Sequence, residues 1–530
     1  MLKDNRILMG KNEQGEEACL LPRMANRHGL ICGATGSGKT VSLKVMAEGF
    51  SAMGVPVFLS DVKGDLSGML ESGTESEALR QRLEGMGISD FAYQPYPVTF
   101  WDIYGKKGIP LRTTISEMGP LLLSRILGLS DVQSSILTIV FKIADDEDLL
   151  LIDTKDLKSM LAYVAEKNKE YEMAYGKMSG QSLAAITRAV VALEAEGGDV
   201  FFGEPALSVE DWLAADESGR GILHILDASS LIGFPKLYAA FLLWMLSELF
   251  EILPEVGDLD KPKLVFFFDE AHLLFAGAPG ALLEKIEQVV KLIRSKGVGI
   301  YFCTQNPADI PGGVLSQLGN KIQHAMHAYS PAEQKGVKAA AMAYPVNPAF
   351  DTYDAILSLG TGEAVVSFLD ENGIPQQAER VRILPPQSSM SAADPMTREN
   401  RIRADRLYTR YAEAVDSDSA YEFLQRRGME MEEAREKARQ AQIEAKEAEK
   451  AKKAEEKEAA RLQREKQKEF ERQHRIQKQA VKSVGNTIAG TVGRQVGKEL
   501  TKNTGSFGRQ LGGNVGASLG RGLLATLLKF

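Results

Sequence analysis

The chain has 530 residues, 44% of them hydrophobic and 25% charged, which is ample core material for several domains and unlike a disordered or fibrous composition. Its 63 lysines and arginines against 71 acids give a net charge of −8, so no whole-molecule basic field exists and any nucleic-acid contact must use a local cationic surface. Asp4, Asn5 and Arg6 interrupt any apolar leader, and three scattered cysteines, Cys19, Cys32 and Cys303, suit unoxidised thiols; a cytoplasmic location is expected.

In chain order, the first strong signal is an apolar run over residues 29–32 that leads into Gly33, Ala34, Thr35, Gly36, Ser37, Gly38, Lys39 and Thr40. Val41, Leu43, Val45, Met46 and Ala47 then follow with helical periodicity. This strand, loop and helix order is that of a phosphate-binding loop. The glycines let successive backbone N–H groups curl around phosphate oxygens, Lys39 reaches the β- and γ-phosphates, and Thr40 offers its hydroxyl to Mg²⁺. A second strand is predicted over 55–60, ending in Asp61-Val62-Lys63-Gly64-Asp65, where Lys63 and Asp65 stand as candidates to couple nucleotide state to a substrate-facing loop.

From about 113 to 196 the periodicity is mainly helical, as in Leu121, Leu122, Ile126 and Leu127, and predicts an inserted helical subdomain over 113–220. Ser179-Gly180-Gln181 has part of an ABC-transporter signature but lies far ahead of any acidic strand, and reads as a helix start. Strand patterns resume at 222–226, 264–268, 298–303, 322–326 and 364–368, alternating with helices, which predicts a mostly parallel sheet wrapped on both faces. The apolar stretch 237–253 carries Glu248 and Glu251 and reads as a buried or amphipathic helix; no transmembrane helix is expected there.

The strand at 264–268 delivers Asp269 and Glu270 to the carboxyl edge of the sheet. Asp269 there is a candidate Mg²⁺ ligand, and Glu270 a candidate to orient or deprotonate the attacking water. The strand at 298–303 brings Gln305 beside them as a polar sensor of the γ-phosphate or water. His324 and His327 lie on an alternating segment without a third ligand and read as sheet residues. Asp269-Glu270-Ala271-His272 spells the DEAH of superfamily 2 helicases, yet no second RecA-like domain follows. Asn320-Lys321-Ile322-Gln323 lacks the aspartate with which GTPases read guanine, which favours ATP.

These motifs resemble the HerA/FtsK group of P-loop ATPases, through GATGSGKT at Gly33, FFFDE ending at Glu270, GVGIYFCTQNP at Gly297 and GTGEAVVSFL at Gly360. With LLPRMANRHGLI from Leu20, PVFLSDVKGDLSG from Pro56 and KPKLVFFFDEAHLLF from Lys261, the chain looks most like HerA-like bacterial proteins of the YjgR type over roughly residues 1–385. The resemblance implies a RecA-like core, a homo-hexameric ring and ATP-driven movement along DNA, with protein partners or a nucleotide-switched scaffold as alternatives. It makes Lys39 and Thr40 the phosphate and Mg²⁺ residues, Asp269 and Glu270 the Walker B pair, and Gln305 the sensor. Ring ATPases commonly add an arginine from a neighbouring subunit, for which Arg294, Arg380 and Arg382 are candidates.

The core, divided as 1–112 and 221–386 around the insertion, is expected to close at Pro385-Pro386-Gln387-Ser388-Ser389, with a linker and helix over 387–428. Residues 429–482 alternate Glu, Lys, Arg, Gln and Ala, with pairs such as Glu433/Lys437 and Glu449/Lys453 one turn apart, and predict a long charged helix or coiled coil. In the tail from 483 to 530, Gly508, Gly512, Gly516 and Gly520 recur every fourth residue, which reads either as a face for close helix contact or, since glycine disfavours a helix, as a segment without order until it meets a protein partner.

Overall fold

Strands that are apolar at every position need helices over both faces, and the sheet at the centre of this chain meets that demand. The computed structural model describes residues 2–257, 259–275 and 280–481. One unit runs through Glu430 and a second begins at Met431.

In the first unit the strands are β1 (Leu2–Lys3), β2 (Arg6–Asn12), β3 (Glu17–Leu20), β4 (Gly29–Cys32), β5 (Val57–Asp61), β6 (Val98–Asp102) and β7 (Ile109–Pro110). They continue as β8 (Leu223–Asp227), β9 (Leu264–Phe268), β10 (Val298–Thr304), β11 (Asn320–Gln323), β12 (Glu363–Ser367) and β13 (Glu379–Ile383). All join one sheet in the order β1-β2-β13-β12-β11-β4-β10-β9-β5-β8-β6-β7, with β3 beside β2. From β11 to β7 every pairing is parallel, whereas β12, β13 and the N-terminal strands add antiparallel. The fold is therefore α/β with a mostly parallel mixed sheet.

Central strands β4, β5, β8, β9 and β10 are buried along their whole length. Stacked rings knit β9 to β10, with Phe267 on Tyr301 at 5.1 Å and Phe268 on Phe302 at 5.6 Å between centroids. The apolar stretch near 237–253 forms the helix Pro235–Ile252, which buries Leu237, Phe241, Trp244 and Leu249. Tyr238 on this helix shares a 2.6 Å hydrogen bond with Ser60 at the end of β5. No helix among the described residues is long and apolar enough to cross a membrane.

Between β7 and β8 the chain forms helices Ile115–Ile126, Asp131–Asp146, Thr154–Glu166, Asn168–Tyr175 and Gly180–Ala195. Capping boxes at Thr114/Glu117, Ser130/Gln133 and Asp153/Asp156 satisfy orphan amides at three of their starts. Ser179 caps the last, accepting from the Ser182 amide, so the Ser-Gly-Gln tripeptide is a helix start.

The Pro/Ser segment does not release the chain from the core. Pro385, Pro386, Gln387 and Ser388 are buried. The carboxylate of Glu48, fully buried on the helix Lys39–Ala52, accepts from the Gln387 amide at 2.8 Å and from the Ser388 amide and hydroxyl at 3.0 and 2.5 Å. Lys44, one turn earlier, donates to Ser389 O at 2.8 Å. Helix Pro395–Ala404 and Tyr411 then pack on the same unit, where the Thr99 hydroxyl donates to buried Asp405 and Arg112 donates to Tyr411 O. Of residues 387–428, expected as a linker and helix, Gln387 to Ser389 satisfy two charged groups of the phosphate-loop helix, and the helix Pro395–Ala404 follows.

In the second unit the described residues continue the helix Ala420–Val481. Every side chain described there, from Met431 to His474, is exposed. The pairs Glu433–Lys437 and Glu449–Lys453 form, at 3.8 and 2.6 Å. The glycine-spaced segment from 483 lies outside the described residues.

Candidate nucleotide site

Four parallel strands, β4, β10, β9 and β5, end side by side, and the residues marked out by the sequence motifs follow their carboxyl ends. This edge is where ligands bind in open α/β sheets. The loop after β4 runs from Gly33 to Gly38 and passes into the helix Lys39–Ala52. Gly38 has φ 117°, and a Cβ there would lie 3.1 Å from the Cα of Gly362, so two glycine backbones touch. Gly362 donates its amide to Ser37 O at 3.0 Å, and Arg82 in turn donates to Gly362 O at 2.6 Å and Ile383 O at 2.9 Å. The GTGE stretch thus braces the loop from outside. Arg82, which nothing in the sequence singles out, braces the GTGE stretch.

The Lys39 ammonium lies within the loop, donating to Gly33 O at 2.7 Å and Ala34 O at 3.1 Å. Burial lowers its pKa, against the nearby charge of Glu270. Thr40 is half-buried in the first helical turn. Two strands away, Asp269 is 4% exposed, and its Oδ2 has no hydrogen-bond partner among the described residues. Burial pushes its carboxyl up to about 6, with Lys63 opposing and Glu270 and Asp65 adding to the rise. A buried carboxylate oxygen that accepts no hydrogen bond is open to a cation, so the oxygen donors of Asp269 and the Thr40 hydroxyl fit a hard divalent ion such as Mg²⁺.

Glu270 adopts φ 47°, a left-handed conformation rare for a residue with a side chain and a kind of strain that collects at functional sites. Its Oε1 meets the Lys63 ammonium at 2.6 Å, and its Oε2 meets His272 Nδ1 at 3.3 Å and accepts from Gln305 Nε2 at 3.4 Å. Burial raises its pKa, but the Lys63 and Gln305 hydrogen bonds outweigh this and hold it below the usual carboxylate range. Lys63 also lies 4.0 Å from Asp269, and so bridges both acids. Behind them Asp61, which accepts from the Gly64 and Leu66 amides, is pushed up to about 7 by burial, then by Asp65.

The arginine candidates are not part of this constellation. Arg294 precedes β10, at the amino edge of the sheet, a full strand from the phosphate loop. Arg380 pairs with Glu363 at 2.7 Å and Arg382 lies 3.8 Å from the same carboxylate, both on β13.

His324 leaves the sheet directly after β11 and is buried. Its Nδ1 donates to Glu363 O at 2.8 Å, which leaves Nε2 to accept from the Ser42 hydroxyl at 2.8 Å. The ring ties the phosphate-loop helix to β12, while His327 is exposed and stacks on Tyr329 at 5.3 Å. Burial holds His324 at about 4, against 6.5 for the free side chain. As pH falls from 6.5 to 4 the unfolded chain takes up this proton first, so stability is lost through that window, about 3 kcal/mol in all. His324→Gln is therefore expected to lose less stability between pH 7 and 4.5 than the parent in urea unfolding. Equal losses contradict this assignment.

The structure of the plasmid coupling protein TrwB with the ATP analogue ADPNP is similar, with a TM-score of 0.51 and 15% identity over 74% of this chain and 92% of that one. VirB4 of Thermoanaerobacter pseudethanolicus matches at 16% identity and a TM-score of 0.46, over 75% and 99%. The TrwB likeness, at that identity, is one of fold alone. No curated protein matches the chain. The helicase HerA-like C-terminal model, however, matches residues 6–511, nearly the whole length. With its phosphate loop, acidic strand end and Gln305 gathered at one sheet edge, the chain belongs to the helicase HerA-like C-terminal family.

Proposed function

We propose that the protein is a Mg²⁺-dependent ATPase that works as a homo-oligomeric ring, a hexamer by family resemblance, and moves DNA. The observation that carries the ATPase reading is the placement of Lys39, Asp269, Glu270 and Gln305 at adjacent strand ends, with one buried Asp269 oxygen that accepts no hydrogen bond among the described residues and has the Lys63 ammonium at 4.0 Å. Lys39 and the loop amides hold the β- and γ-phosphoryl oxygens. Thr40 and Asp269 would hold Mg²⁺, which would supply positive charge to the transferring phosphoryl group. Glu270 orients the attacking water and accepts its proton on a carboxylate oxygen, while Gln305, already hydrogen-bonded to Glu270, fixes the angle of approach.

None of the arginine candidates lies beside this set in its own subunit, which favours completion by a neighbour. DNA as the track is supported by membership of a helicase-like family and by the fold shared with TrwB, a plasmid coupling protein. The decisive experiment follows ATP turnover against protein concentration, with and without double-stranded DNA, at about 50 and 200 mM salt. Specific activity is expected to rise with concentration, and stimulation by DNA to fade with salt because released counterions drive phosphate contacts. A hexamer whose turnover ignores DNA at low salt points instead to a protein substrate. An active monomer removes the need for subunit completion.

A further inference from the structure

Beside the nucleotide half of the sheet edge lies a cleft of about 510 Å³. It opens past the carboxyl ends of β5, β8 and β6, and the helix Pro395–Ala404 closes one side. Five cationic side chains, Lys63, Lys106, Lys107, Arg398 and Arg403, line it against two carboxylates, Asp227 and Glu399. In a chain of net charge −8 this is a local reversal of sign.

The cations are held in place from below. Asp102 at the end of β6 accepts the amides of Tyr104, Lys106 and Lys107 at 3.0, 2.8 and 2.9 Å, so the turn that carries both lysines is rigid. Asp227 at the end of β8 is 3% exposed and takes Arg398 at 3.0 Å and Lys107 at 3.6 Å, one negative charge under two positive ones. Arg398 also donates to Lys107 O at 2.6 Å and lies over the Phe100 ring. Glu399 is occupied by Arg403 at 2.7 Å. Lys106 is exposed and has no carboxylate partner among the described residues. The surplus is therefore cationic, and it faces an open cleft whose wall includes the glycines Gly64, Gly105 and Gly108.

Lys63 belongs to both places. It lines the cleft, and its ammonium is 2.6 Å from Glu270. We infer that the cleft is a second anion site, which takes a phosphate group, and that an anion bound there draws Lys63 off Glu270 and so raises ATP turnover. The coupling rests on the ATPase reading above. In this arrangement Lys63 is a positioning residue: paired with Glu270, it engages the oxygen that must receive the proton of the attacking water. A phosphate in the cleft competes for the same ammonium, and relieves Glu270 without touching it.

The phosphate can come from a nucleic-acid backbone or be free in solution, and the two are separated by the probe. Binding of a fluorescent thirty-residue oligo-deoxythymidylate to the full chain is measured without nucleotide, alongside competition by inorganic phosphate at millimolar concentration. Displacement of the oligonucleotide by phosphate at low millimolar levels assigns a free-phosphate site; resistance to it, with tight oligonucleotide binding, assigns a backbone site. Lys106→Glu is expected to weaken binding of the assigned probe about tenfold and to abolish its stimulation of turnover, with basal turnover within twofold of the parent. Lys63→Met is expected to raise basal turnover several-fold, to the stimulated level of the parent, with no further response to the probe.

Unchanged binding and stimulation in Lys106→Glu overturn the site. A Lys63→Met protein that responds to the probe as the parent does overturns the coupling, whatever its basal rate. Either result leaves the ATPase reading standing, since in both the parent still turns over ATP. A parent protein whose turnover does not depend on Lys39 removes the ATPase reading itself, and the coupling with it.

Discussion

Glu270→Gln is expected to slow ATP hydrolysis by roughly 10² to 10⁴ while ATP still binds, because the amide keeps the shape of the side chain but cannot accept the proton of water. Its neighbours make the substitution clean. Gln305 and Lys63 reach the carboxylate from β10 and from the turn after β5, elements whose positions do not depend on it, and the left-handed backbone at φ 47° is set by the turn that follows β9. Lys39→Ala is expected to act on the other side of the mechanism. It removes the ammonium that lies among the loop carbonyls Gly33 O and Ala34 O, so ATP affinity falls before turnover is considered. Equilibrium binding of a fluorescent ATP analogue and single-turnover hydrolysis separate the two. A Glu270→Gln protein with parental turnover would remove the assignment of the base.

Much of the sheet edge was legible in the residues alone, and the reason is local. β4 and β9 span Gly29–Cys32 and Leu264–Phe268, the very runs the sequence marks, because each is an unbroken apolar stretch stopped by a residue that cannot continue it, Gly33 in one case and Asp269 in the other. Where the pattern was less well bounded, the structure shifts it. The alternation of Ile322, His324 and Met326 predicts a strand over 322–326, but β11 is Asn320–Gln323. At His324 the chain leaves the ladder to brace Ser42 and Glu363, a use of histidine that alternation alone cannot show.

The strands that the sequence does not mark include β1 and β7, which at two residues each are too short to carry a pattern. β2 pairs with its chain neighbours β1 and β3 and also with β13, Val381 opposite Asn12, so one side of it is held by residues at the other end of the core. β6 was legible in principle, since Val98, Thr99, Phe100 and Trp101 are all strong strand formers and follow Pro95 and Pro97 directly. The site shows the same division. Lys39, Asp269, Glu270 and Gln305 are visible as motifs, whereas the 2.6 Å contact of Lys63 with Glu270 and the hold of Arg82 on Gly362 depend on which strand ends fall side by side.

Ending the chain after Pro386 is expected to cost the ATPase core its stability, whereas ending it after Glu430 is not. The shorter cut lies one residue before the groups that satisfy Glu48. That carboxylate is fully buried on the phosphate-loop helix, burial already pushes its pKa up, and all three of its donors belong to Gln387 and Ser388. Removing the partner of a buried charge costs roughly 3–5 kcal/mol, a large part of the stability of an ordinary domain. The same cut takes Ser389 O from Lys44, Arg398 from Asp227, Asp405 from Thr99 and Tyr411 from the Trp101 ring it packs against at 5.8 Å. These losses fall on β6 and β8 as well as on the phosphate-loop helix, so no single repair compensates them. Cutting after Glu430, by contrast, removes from the described residues only helix, whose side chains from Met431 to His474 are exposed. Thermal unfolding and ATP-analogue binding of the two truncations test this. The 1–430 protein should melt within a few degrees of the full chain and bind nucleotide, and the 1–386 protein should be insoluble or melt far lower. A soluble 1–386 protein that melts with 1–430 would show that Glu48 and Lys44 find other partners, and would return the core boundary to the proline pair.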